Sequence, residues 1–285
     1  MEKLKNAFLL VSKPYGITSR KLLNEIGKAL SIKKIGHLGT LDPMATGLLF
    51  IATGKYTRLL PYVDLDTKEY IIEITFGIET DTWDTQGKII KKETVNIKED
   101  DLLKILPQFV GEIKQKVPFF SAKKIKGIEL YKLARKETFI EIFKRAKILD
   151  IEYMCFKNNK LILKVASEKG AYMRALAYEI GEKLNVPATL SAIVRTKIGN
   201  LSIEDATTLT KLRNNDFSKG IINPMSVISL PSVILRNKTN YMLGKPESID
   251  NVLVFDDKNS FIGIGKVEEN SITPKILIDE DTKTI

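Results

Sequence analysis

The hydrophobic spacing divides the chain into short apolar runs and a few stretches of helical period. Residues 7–11 are a five-residue apolar run, short enough for a buried strand. Thr18 or Ser19 can cap a helix running to about Leu30, with Leu22, Leu23, Ile26, Ala29 and Leu30 on one face. A second apolar segment covers residues 48–53. Residues 68–77 alternate well enough for a strand, and Tyr70 is β-favouring. Residues 98–108 read as a helix with Leu102, Leu103, Ile105 and Leu106 inward, and 129–135 as a shorter one. Residues 139–156 and 160–167 read as two strands joined across Asn158-Asn159, a hairpin turn. Met173, Leu176, Ile180 and Leu184 give the next helix its apolar face. Residues 192–201 read as a strand and 203–206 as a short helix. From about Ser229 the pattern changes to short strands and turns, at 252–255, 261–267 and 275–278. The spacing therefore predicts a mixed α/β region over residues 1–228 and a small β-rich region over 229–285.

The bulk numbers narrow the class. With 285 residues and 44% hydrophobic content, a packed core is expected. No apolar run of about 18 residues is present, and residues 1–5 carry no signal-peptide pattern, so no membrane span is expected. The lone cysteine, Cys155, cannot form an intrachain disulfide and fits a reducing cytoplasm. One histidine and one cysteine make a zinc site of the usual ligand types an unsuitable reading. The formal net charge of +10 is unevenly placed. Residues 1–40 carry eight Lys/Arg against two Asp/Glu, and residues 112–147 carry eleven against four. Residues 246–285 are instead net acidic, four against nine. Clustered positive charge is the footprint of a polyanion partner; a solvated lysine-rich surface is the competing reading.

Between the first helix and the apolar segment at 48–53 lies Gly36-His37-Leu38-Gly39-Thr40-Leu41-Asp42-Pro43-Met44-Ala45-Thr46-Gly47. Glycines sit where a backbone turns tightly or approaches something closely, and Asp-Pro is a turn signal. These residues predict an ordered loop that presents Asp42 in a fixed place. Gly54-Lys55 does not complete a phosphate loop, because the earlier glycine is misplaced and Tyr56 follows the lysine. Gly263-Ile264-Gly265 lacks the third glycine of a dinucleotide fingerprint. Asp81 and Asp84 fall in a turn-forming stretch, and turn formation accounts for them more simply than a metal.

Several segments together resemble one family. Lys13-Pro14-Tyr15-Gly16-Ile17-Thr18-Ser19 precedes the Asp42 loop, and Lys68-Glu69-Tyr70 with Thr80-Asp81-Thr82-Trp83-Asp84-Thr85-Gln86-Gly87 follows it. Further on come Pro118-Phe119-Phe120-Ser121-Ala122-Lys123-Lys124-Ile125-Lys126-Gly127 and Lys169-Gly170-Ala171-Tyr172-Met173-Arg174. This order resembles the TruB family of tRNA pseudouridine synthases, strongly over residues 7–205 and weakly over 229–280. Leu38 replaces a usual threonine, and Val194 replaces the first arginine of the strand bearing Arg195.

The resemblance implies a pseudouridine synthase fold, α+β, with a largely antiparallel central sheet flanked by helices and a small PUA-like C-terminal domain. It implies isomerisation of the T-loop uridine, position 55 in tRNA numbering. Asp42 is then the catalytic carboxylate, Tyr70 stacks on the target base, and Arg174 pairs with Asp42. His37, Lys13, Tyr172, Gly36 and Thr40 are expected at the substrate, and Lys123, Lys124, Lys126, Arg135 and Arg195 at the RNA. Moving the ribose bond from N1 to C5 needs no redox step or external group, so no cofactor or metal is expected. The implied partner is the tRNA T-arm, reached by a monomer without an obligate protein partner. The target base must leave its stack, at a cost of a few kcal/mol. The acidic C-terminal region is expected to make weak RNA contact or to act as a structural cap. Joint presence of Asp42, Tyr70 and Arg174 argues against a protein that only binds RNA.

Overall fold

The computed structural model describes residues 4–120, 124–125, 128–129, 142–234, 250–268 and 271–278. The N-terminal strands are β1 (Phe8–Lys13), β2 (Ile35–Leu38), β3 (Thr46–Thr53) and β4 (Thr67–Phe76), with helix α1 (Ser19–Leu30) after β1. A small hairpin of β5 (Ile78–Thr80) and β6 (Ile89–Lys92) precedes helix α2 (Glu99–Ile105) and strand β7 (Gly111–Lys116). Two-residue strands β8 (Lys124–Ile125) and β9 (Ile128–Glu129) pair with each other. Strands β10 (Phe143–Lys157) and β11 (Lys160–Glu168) then lead into helix α3 (Met173–Leu184). Strands β12 (Ala188–Ile198) and β13 (Leu201–Ser202), helix α4 (Leu209–Arg213) and β14 (Ile221–Ile222) complete this part.

Among the described residues ten strands form one sheet, ordered β14-β1-β3-β12-β4-β11-β10-β7, with β2 added to β3 and β13 to β12. All its pairings are antiparallel except β3 with β12. Asn158 and Asn159 both take positive φ, 53° and 57°, which a two-residue turn matching strand twist requires. On β4 the alternation is strict: Tyr70, Ile72, Ile74 and Phe76 are buried on one face. That face packs against α3 through Met173, Leu176, Ala177 and Ile180 and against Leu102 of α2. The opposite face carries Glu69 and Glu73, which meet Lys197 of β12 and Lys160 of β11 at 3.4 and 2.8 Å.

Helix α1 begins where the sequence says. Thr18 is its N-cap, accepting from the Lys21 amide at 3.0 Å, and Leu22, Leu23, Ile26 and Leu30 are buried against β1 and β3. Other expectations are corrected. The helix expected over 98–108 ends as an α-helix at Ile105 and continues as a 3-10 turn, Leu106–Phe109, because Pro107 cannot donate. Leu103 of α2, expected inward, is instead 45% exposed. Gly36-His37-Leu38, read as the start of a loop, is strand β2 against β3. The helix expected at 129–135 lies outside the described residues, apart from Glu129 in β9.

The C-terminal residues form a second sheet. Strands β15 (Ser232–Ile234), β16 (Asn251–Phe255), β17 (Phe261–Glu268) and β18 (Ser271–Leu277) lie in that order, with β15 parallel to β16. Leu253, Phe255, Ile264 and Ile276 share one apolar cluster with Phe8, Leu10, Leu48 and Phe50 of the large sheet. The small sheet therefore covers the face of β1 and β3 that α1 leaves open. No described helix is long and apolar enough to cross a membrane.

Candidate active site

The Asp42 loop is fixed by the segment between β1 and α1. Ser19 Oγ donates to the Leu41 carbonyl at 2.9 Å and accepts the Leu41 amide at 3.0 Å. The Gly16 amide donates to the Pro43 carbonyl at 2.9 Å. Lys13 Nζ donates to the carbonyls of Pro14, Ile17 and Pro43, at 2.9, 2.7 and 3.2 Å. Each bond removes a freedom from the residues on either side of Asp42. Lys13, expected at the substrate, is 1% exposed with its three donors used inside the protein, so it acts here as a loop staple. Burial pulls its ammonium down to about pKa 8, against the opposing pull of Asp42.

Arg174 is the second residue of α3, and its buried guanidinium reaches Asp42. Its Nε lies 2.9 Å from Asp42 Oδ2 and 3.6 Å from Asp84 Oδ2. Its Nη1 and Nη2 donate to the carbonyls of Thr82 and Phe120, each at 3.1 Å. The expected pairing of Arg174 with Asp42 is thus present in the geometry. Asp84 does form its turn, accepting from Thr82 Oγ1 at 2.7 Å and from the Gln86 amide at 2.9 Å. Its other oxygen faces Arg174, a contact that turn chemistry gave no reason to expect. Trp83, at φ 61°, stacks on Tyr178 of α3 with ring centroids 4.4 Å apart, and so ties this turn to the helix.

Tyr70 and Arg195 form the wall opposite. They are register partners on β4 and β12, which places their side chains on one face. Irregularities in the β4–β12 register between Leu190 and Ala192 and between Arg195 and Lys197 set that face. The first lets Ile193 and Arg195 share a side with Leu190 despite the odd spacing. Arg195, read from sequence as an RNA contact, is 1% exposed. Its Nε donates to the Leu48 carbonyl at 2.7 Å and its Nη2 to the Gly39 carbonyl at 3.0 Å. Burial raises the Tyr70 hydroxyl pKa, Arg195 pulls it back and Asp42 pushes it up again, so the phenol is protonated at neutral pH.

These groups surround a cavity of about 710 Å³ lined by Asp42, Tyr70, Arg174 and Arg195, with Leu41, Ala45, Leu190 and Ile193 as apolar walls. Thr40 and Tyr172 also line it. Tyr172 is held through its backbone by the buried Gln115, whose amide both donates to and accepts from it, at 2.9 and 2.8 Å. The ring carries Lys144 Nζ at 3.7 Å. His37 and Gly36 lie on β2 and do not line the cavity. His37 Nε2 sits 3.2 Å from Thr40 Oγ1, and burial, Arg20 and Arg195 lower its pKa. Gly36 packs under Leu60 and Thr57. Lys123, Lys126 and Arg135 lie outside the described residues, as does the side chain of Lys124. Ser19, Gly16, Gln115 and Asp84 were not expected here. For Ser19 and Gly16 the signal existed, in the Lys-Pro-x-Gly-x-Thr-Ser segment. Among the described residues no group of three His, Cys, Asp or Glu side chains could hold a metal ion.

Residues 27–173 match the family model of TruB family pseudouridylate synthases, N-terminal domain. The tRNA pseudouridine synthase B of Caldanaerobacter subterraneus subsp. tengcongensis is 38% identical over 281 residues, covering 94% of this chain and 98% of that one. Those of Clostridium tetani and Aquifex aeolicus are each 36% identical, covering 96% and 95% of this chain and 100% and 98% of theirs. A chain of a Cbf5-Nop10-Gar1 complex superposes with a TM-score of 0.67 at 24% identity, over 97% of this chain and 84% of that one. A chain of an H/ACA RNP bound to a substrate RNA containing 2'-deoxyuridine gives 0.69 at 22% identity, over 98% and 87%. The large sheet and its helices are thus the pseudouridine synthase fold.

Proposed function

Because the chain belongs to the TruB family of pseudouridylate synthases, we propose that it isomerises the T-loop uridine of tRNA, at position 55, to pseudouridine. The relatives' common name, tRNA pseudouridine synthase B, supports tRNA as the substrate class. The observation that carries the chemistry is the meeting of Asp42, Tyr70 and Arg174 around one cavity, although they come from a loop, a strand and a helix.

Asp42 is the reacting carboxylate. A carboxylate can add to carbon or take a proton, and the Asp42 oxygens lie at the cavity surface while Arg174 fixes one of them. The flipped uracil occupies the apolar space between Leu190, Ile193 and Tyr70, with the phenol ring stacked on it. The base stays in this cavity after the ribose–N1 bond breaks, which allows it to turn and rejoin through C5; C5 then gives up its proton and N1 takes one up. The basic segments at 1–40 and 112–147 supply phosphate binding that offsets the cost of flipping.

The test is Asp42→Asn on unmodified tRNA, with modified nucleotides mapped by position. The variant should bind tRNA and form no pseudouridine, while the wild-type chain modifies position 55. Substantial turnover by the variant rules out the role of Asp42. Modification at another position rules out the target.

A further inference from the structure

The charges around the cavity do not balance within the protein. Asp42 and Asp84 both face Arg174. Three more cations line the cavity: Arg195, Lys68 and Lys169. Arg195 is buried and, among the described residues, bonds to carbonyls and no carboxylate. Lys68 lines the same cavity and makes no side-chain hydrogen bond or ion pair among the described residues. Asp66 pairs with Lys169 at 3.0 Å and attracts Lys68 without forming an ion pair with it. Burial and the cations Arg195 and Lys169 lower the Lys68 ammonium to about pKa 8, with Asp66 opposing them. An ammonium kept part-buried without an ion-pair or hydrogen-bond partner is unfavourable.

Its position says what would relieve it. Lys68 and Tyr70 are two apart on β4, so both point to one face, about 7 Å from each other. Tyr70 is buried at depth. Lys68 is half-buried, next to the exposed Asp66–Lys169 pair that marks the mouth. Gly39 lies between Lys68 and Arg195: a Cβ there would come within 3.3 Å of Lys68 Cε and 3.4 Å of Arg195 Nη1. With φ +68°, this position favours glycine, which leaves the space open. A nucleotide with its base stacked on Tyr70 carries its sugar-phosphate toward that rim. Uracil is neutral and cannot compensate the charge, whereas RNA offers one anion per nucleotide.

We propose that Lys68 is a substrate-binding residue that holds a phosphodiester flanking the target uridine, at the cavity rim and in the field of Arg195. This rests on the reading of the cavity as the uridine site. Lys68 thereby couples base flipping to backbone capture, because the ammonium gains its counter-ion when the base enters.

The experiment measures dissociation constants and pseudouridine kinetics for wild type, Lys68→Met and Lys68→Arg on a T-arm stem-loop. The stem-loop is either all phosphodiester or carries a neutral methylphosphonate 5′ or 3′ of the target. Lys68→Met should weaken binding about tenfold and lower the salt slope by about one, the signature of one lost phosphate contact. Its effect should fall on KM, leaving kcat within about threefold, and Lys68→Arg should restore affinity. One methylphosphonate should cost wild type about as much and cost Lys68→Met nothing further. The melting temperature of Lys68→Met should equal or exceed that of wild type, since a desolvated charge is removed. Unchanged affinity, equal penalties on charged and neutral backbones, or a lower melting temperature with lost binding each overturn the assignment of Lys68. If wild type is inactive on the unmodified stem-loop, the uridine site itself is overturned, and Lys68 with it.

Discussion

Arg174 shows how much of this site depends on the shape of one side chain. Its Nε addresses Asp42 and Asp84, and its two terminal nitrogens each reach a carbonyl. A lysine keeps the charge but has no planar fork to make these contacts at once. Arg174→Lys should therefore lower kcat about 100-fold, the scale of a small misplacement of a reacting group, with tRNA affinity nearly unchanged. Single-turnover assays beside binding isotherms check this. Lys13 and Lys68 give the site a pH signature. Both have folded pKa values near 8, below an unfolded lysine's. Between about pH 8 and 10 the unfolded chain holds more protons, so raising pH favours the folded state. Comparing wild type with Lys68→Met by denaturant unfolding isolates one of the two. The gain in stability from pH 8 to 10 should be smaller in the variant. At this scale the sequence named Asp42, Tyr70 and Arg174, because motif order survives without coordinates. It did not show Lys13 as a staple, because donor use depends on which carbonyls come within 3 Å.

At the scale of elements, the parallel contact between β3 and β12 joins the Asp42 loop to the Arg195 strand. Gly47 makes this contact possible. It has φ +97°, and a Cβ there would lie 2.4 Å from the Arg195 carbonyl oxygen and 2.8 Å from its amide nitrogen. Gly47→Ala should cost at least about 2 kcal/mol of folding stability, from an unfavourable φ together with a backbone clash. It should lower activity further by displacing Arg195; equilibrium denaturation and turnover read the two effects. The ends of α1 and the β10–β11 turn were legible, because capping Thr18 and paired Asn158-Asn159 act over a few residues. The face taken by Arg195 was not. Alternation on β12 slips at Ser191, and only pairing with β4 reveals the slip.

For the molecule as a whole, the +10 net charge predicts tRNA binding driven by phosphate contacts. The logarithm of the association constant should fall with the logarithm of salt concentration with a slope steeper than about −3, as for several phosphates neutralised together. Titrations at stepped salt check it, and a flat profile contradicts it. The C-terminal sheet plays its visible part through packing, with Leu253, Phe255, Ile264 and Ile276 against Phe8, Leu10, Leu48 and Phe50. This supports the reading of that sheet as a structural cap. By itself the sequence determined what is carried in local spacing and residue order: the strand and helix periods, the turn glycines, the family and the three residues at the cavity. The tertiary structure decided which charges lack partners, which lysine is a staple and which is left facing the cavity. Those outcomes depend on distances between segments far apart in the chain, which packing of the large sheet sets and local composition does not encode.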